Sequence, residues 1–135
     1  MKNVLLLFAL FLLLSCNNDD DSNNNRLEGR WSLVKKTGGF GGPNAPEDIT
    51  QKTVLEFSEK KVKTYAGATL INEKNYYIAI KKSILGGDRK MIVIDKGNSL
   101  TQEFYIDRSY EIKGKRLILV EECADCSTLE YERIK

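Results

Sequence analysis

The chain has 135 residues, with 21 Lys and Arg against 19 Asp and Glu, and no histidine. That length suits one domain with one core, and the near balance of charge leaves no basic footprint for nucleic acid. Without histidine the commonest general base, the commonest metal ligand and the usual partner of a nucleophilic Ser or Cys are missing. No enzyme activity, metal or cofactor is therefore expected, and carboxylate-pair chemistry is the one catalytic route left open.

The chain begins Met1-Lys2-Asn3, runs without charge from Val4 to Leu14, and reaches Ser15 and Cys16. A basic start, an apolar middle and a small residue follow the order of a secretory signal. The apolar run covers roughly half of the ~20 residues that a membrane-spanning helix needs, and polar Asn17, Asn18 and Asp19 to Asp21 follow at once. Residues 1–15 are thus expected to be removed, which takes away Lys2 and leaves the mature chain close to neutral. From Asn17 to Asn25 there is no apolar residue. Such a stretch cannot bury enough surface to offset its ordering entropy, so residues 16–26 read as a solvated tether and 27–135 as the folded domain.

In the body, short segments rich in β-branched and aromatic residues are separated by Gly, Asn, Asp and Lys turns. The segments are Arg30 to Lys36, Lys52 to Ser58, Lys61 to Thr69, Asn75 to Lys82, Arg89 to Asp95, Ser99 to Asp107, Ser109 to Lys113, Arg116 to Glu121 and Thr128 to Lys135. Alternation places Tyr76, Ile78 and Ile80 on one face, Phe104 with Ile106, and Leu117 with Leu119. Tyr76, Ile78, Ile80, Phe104 and Leu117 are the expected large inward residues. The connections Ser58-Glu59-Lys60, Lys96-Gly97-Asn98 and Lys113-Gly114-Lys115 have hairpin lengths, whereas parallel crossovers need a dozen or more residues. The reading is an all-β, antiparallel up-and-down meander that must remove its edges. It does so by closing into a barrel of about eight strands or by folding into a two-layer sandwich.

Three connections and surfaces could carry function. The stretch Thr37 to Asp48 sets Phe40 among four glycines, either as a mobile aromatic over a ligand or partner, or as a plain connection. Cys123-Ala124-Asp125-Cys126 can close as a disulfide, because a β-turn brings residues i and i+3 within reach. A redox dithiol lacks the usual activating helix N-terminus, and zinc would find its tetrahedral site half empty. Glu121, Glu122, Asp125, Glu130 and Glu132 form either an acidic patch or ordinary solvated surface. The pairs Lys60-Lys61, Lys81-Lys82 and Arg89-Lys90 read as outward faces that discourage edge pairing.

Two resemblances add to this reading. Leu13-Leu14-Ser15-Cys16 resembles the lipobox of bacterial lipoproteins. It implies diacylglycerol on the Cys16 sulfur, cleavage before it, acyl chains such as palmitate, and an anchor in the cell envelope; an ordinary secretory signal is the rival. Each buried CH2 contributes roughly 0.8 kcal/mol, and more than one chain makes anchoring stable. Asp19 to Asp21 resembles the signal that sends some Gram-negative lipoproteins to the outer face of the outer membrane, or is only a spacer.

Leu27-Glu28-Gly29-Arg30-Trp31, followed by Ser32-Leu33-Val34, resembles the Gly-x-Trp opening strand of lipocalins and of small lipocalin-like bacterial lipoproteins. The resemblance implies a barrel in which Trp31 packs at the closed end, Arg133 lies across it, and the loop with Phe40 lids the open end. It also implies a binding module for a small apolar ligand. The alternative is a filled barrel that holds an envelope protein partner. The chain is shorter than most lipocalins and lacks their C-terminal helix, which bears on the cavity more than on the fold.

Overall fold

A computed structural model describes residues 26–39, 52–97 and 105–135. The leader, Cys16, nearly all of the tether, Phe40 and Phe104 lie outside the described residues. Eight strands follow in order: β1 (Gly29–Gly38), β2 (Thr53–Phe57), β3 (Lys61–Ala66), β4 (Thr69–Lys82), β5 (Asp88–Ile94), β6 (Arg108–Lys113), β7 (Arg116–Glu121) and β8 (Ser127–Ile134). Each pairs antiparallel with the next, and β8 returns to β1 to close the barrel. Because β1 hydrogen-bonds to both β2 and β8, the sheet has no split at which a sandwich could divide. The architecture is the lipocalin-like barrel.

Alternation builds the inner layer of the core, and Val54, Met91 and Val93 are buried on the other face of β2 and β5. Trp31 from β1, Leu55 and Phe57 from β2, Val62 from β3 and Tyr76 from β4 meet Ile92, Leu117, Leu119, Leu129 and Tyr131. Charged residues between the inward ones point outward and pair across strands, as in Arg30 with Glu56 and Lys61 with Glu73. The short hairpins follow from turn chemistry. Ala66 pairs with Thr69, leaving Gly67 and Ala68 as the loop, and Gly67 takes φ +61°, where a Cβ would be strained.

Three sequence expectations need correction. The segment Lys61 to Thr69 is not one strand, because the Gly67-Ala68 turn divides it and β4 begins at Thr69. The hairpin expected at Lys96-Gly97-Asn98 and most of the strand expected from Ser99 to Asp107 lie outside the described residues, but residues 105–107 have no strand structure. Ile106 accordingly lies outside any strand and is exposed. Tyr76 and Leu117 are buried as expected, but Ile78 and Ile80 are exposed. Alternation assigns them the right face, yet β3 stops at Lys61, opposite Asn75, so beyond that point β4 has no strand on that side among the described residues.

Candidate functional site: the closed end and the cup

At one end of the barrel the Trp31 side chain is fully buried, and its indole Nε1 donates to the carbonyl of Leu27 at 2.8 Å. The Arg133 guanidinium lies over the indole, 4.1 Å from the ring centroid, and donates to the carbonyls of Glu28 and Arg26. A cation on an indole face contributes roughly 0.5 to 2 kcal/mol, more as water is excluded. Gly29 is what lets the arginine in. Its φ is +122°, and a Cβ there would stand 2.6 Å from Arg133 Nη1. The first and last strands are thus joined by ladder bonds and by this stacked cap.

Above the core lies a cavity of about 340 Å³. Its lining combines the apolar Leu55, Phe57, Val62, Ile92, Ile94, Leu119 and Tyr131 with the more polar Thr53, Thr64, Asn72, Lys74, Tyr105 and Arg108. An eight-stranded barrel is just wide enough to be filled by side chains or to hold one small ligand. Here the small inward residues Thr53 and Thr64 of β2 and β3 leave space that larger side chains would have closed. Phe57 and Tyr76 meet edge to face at 5.4 Å, and the Tyr76 hydroxyl donates to the carbonyl of Ser58, which holds both rings in place.

The polar groups of the cup are positioned by the strands around them. Arg108 opens β6, and its Nη2 donates to Glu121 of the paired β7 at 3.0 Å. The second oxygen of Glu121 accepts from the backbone of Ser127. The Arg108 Nε is buried and has no partner among the described residues. The Lys74 ammonium sits 5.1 Å from the centre of the Tyr105 ring. Burial pushes the Tyr131 hydroxyl up to about 12, with the charge of Arg108 pulling the other way and that of Glu121 adding to the rise.

Tyr131 predicts an alkaline weakness. An unfolded chain releases the phenolic proton from about pH 10, whereas the folded barrel holds it to about 12. The folded state binds more protons across this window, so its stability falls as pH rises, by roughly 3 kcal/mol in total. Tyr131→Phe is expected to flatten this loss in urea midpoints measured from about pH 9 upward. An unchanged slope would assign the loss to other groups.

Sequence reading missed Arg108 and Lys74, since a charged residue on a strand is normally taken as outward. A signal was present: Arg108 shares its phase with Tyr110 and Ile112, and Lys74 shares its phase with Tyr76. The acids weighed as a patch or as solvated surface are dispersed among separate partners. Glu121 pairs with Arg108, Glu130 pairs with Lys35 and Arg116, and Glu122 binds the Ser83 and Ile84 end of the β4–β5 hairpin. Among the described residues no three His, Cys, Asp or Glu side chains converge as metal ligands. Cys123 and Cys126 are joined as a disulfide across the β7–β8 connection, with Cα atoms 5.4 Å apart. No protein-family model, no curated protein and no solved structure matches the chain.

Proposed function

We propose that this protein is a binding module, anchored in the bacterial outer membrane by lipid on Cys16, that holds a small, mainly apolar ligand in its cup. The observation that carries the reading is the cavity of about 340 Å³, which is lined by apolar side chains together with several polar ones. Ligand sites have this composition because apolar burial supplies affinity while a few placed polar atoms orient the ligand. Arg108 lines the cup, and its pairing with Glu121 fixes the guanidinium there as a cationic polar group.

The leader supports the anchor: its short apolar run ends at Leu13-Leu14-Ser15-Cys16, and the polar stretch that follows suits a tether. Lipid on Cys16 would hold the cup at the membrane, facing the periplasm or the cell exterior. Binding fits better than catalysis, because the acids nearest the cup are engaged in ion pairs and hydrogen bonds rather than set against each other across a cleft.

Native mass spectrometry of the full-length gene product, taken gently from its own host's envelope, tests both parts at once. A covalent acyl-glyceryl mass on Cys16 is expected, with a further mass that leaves on denaturation. A chain without the covalent mass would remove the anchor. A bare chain with no released mass would transfer the function from the cup to protein partners.

A further inference from the structure

The β4–β5 hairpin departs from the rest of the barrel. Strand β4 has 14 residues and β3 has 6, and their pairing ends at Lys61 with Asn75. Beyond that point Tyr76 to Lys82 pairs with β5 on one side and with no strand among the described residues on the other. Side chains alternate across a strand, so Ile78, Ile80 and Lys82 share one face, opposite Ile92, Lys90 and Asp88. Ile92 belongs to the core, but burial fails outward along the ribbon. Ile78 is 41% and Ile80 71% exposed, and at the tip Ile84 is 56% and Leu85 57% exposed.

Cations surround these aliphatic side chains. Lys81, Lys82, Arg89 and Lys90 stand against Asp88 alone, so the hairpin carries a net charge of +3 where the whole chain carries +2. Lys82 and Lys90 are exposed and form no ion pair among the described residues. The opposite face is engaged with the body of the protein: Lys81 bonds to Asp107, and Met91 is buried. The tip is braced as well, since Glu122 accepts from Ser83 Oγ at 3.0 Å and from the Ile84 amide at 2.8 Å. The apolar side chains are therefore held outward.

We propose that this hairpin docks on a membrane surface bearing anionic lipid, with Ile78, Ile80, Ile84 and Leu85 entering the headgroup and acyl boundary and Lys82 and Lys90 meeting the lipid phosphates. Edge lysines alone serve to discourage strand pairing, but that role gives no reason for four exposed aliphatic residues beside them. Apolar insertion flanked by cations is the chemistry of interfacial binding, in which buried area and attraction to anionic lipid add. A second copy of the chain is the poorer occupant, because it would bring a second net-positive hairpin against the first. The inference is independent of the ligand reading. With lipid on Cys16, the hairpin would orient the barrel rather than anchor it.

The test uses the full chain carrying Leu85→Trp, added to vesicles whose acyl chains are brominated. Trp31 is fully buried, so quenching by bromine reports the introduced indole. With phosphatidylglycerol in the vesicles its emission is expected to shift to the blue and to be quenched; with phosphatidylcholine alone it is not. Adding Lys82→Gln and Lys90→Gln, both at exposed positions, should lower the ratio of docked to free hairpin roughly 30-fold. Absence of quenching on anionic vesicles, or equal quenching on neutral ones, overturns the proposal. A lipid-independent blue shift that grows with protein concentration would overturn it in favour of self-association.

Discussion

Trp31→Ala is expected to cost about 3–5 kcal/mol and to lower the melting temperature by roughly 15–30 °C. The indole is fully buried where β1 meets β2 and β8, so its removal leaves a cavity ringed by Leu55, Tyr131 and their neighbours. The loss does not stop at packing. The Leu27 carbonyl loses its indole donor, and Arg133 loses the ring beneath it while its Nε stays buried and unpartnered. Domains of this size are stable by only about 5–15 kcal/mol, so one substitution consumes much of the margin. Trp31→Phe keeps an aromatic face and should cost less. Urea unfolding followed by circular dichroism measures both, and a cost below about 1 kcal/mol for the alanine variant would show that the stacked cap does not hold the strands together.

The second large effect concerns the cup. Thr64 faces the cavity from β3, between Leu55 and Asn72 on the paired strands. Thr64→Trp should place an indole in the space and weaken uptake of an environment-sensitive apolar probe at least about tenfold, a difference of roughly 1.4 kcal/mol. Overpacking costs about 1–3 kcal/mol, so the unfolding midpoint must show that the variant stays folded. Lys63→Trp is the matched control. Residue 63 lies on the outer face of the same strand, where it faces Glu56 and Glu73, and the same bulk there should leave uptake unchanged. Equal loss in both variants would show that the probe binds elsewhere.

Some residues were legible in sequence because their roles follow from local rules. Tyr76, Leu117 and Leu119 are inward by alternation alone, which the pleat enforces residue by residue, whereas the place of Trp31 came from its resemblance to the Gly-x-Trp strand. The pairing of Cys123 with Cys126 was legible because a four-residue turn bounds their separation. Ile78 and Ile80 show where such rules stop. Their face was correctly read, but burial depends on whether another strand lies alongside, and that depends on where β3 ends. Arg108 was missed for the converse reason. Its charge argued for solvent, yet the phase it shares with Tyr110 and Ile112 aims it into the cup, where Glu121 compensates part of its burial.

The sequence by itself determined the class of this molecule: β segments of alternating polarity joined by short turns, which fold only as an antiparallel meander. Closure into a barrel, the space left between Thr64 and the apolar lining, and the bare face of the β4–β5 hairpin were decided only in three dimensions. Periodicity is a property of neighbours along the chain, whereas register, cavity volume and exposure depend on which strands stand side by side.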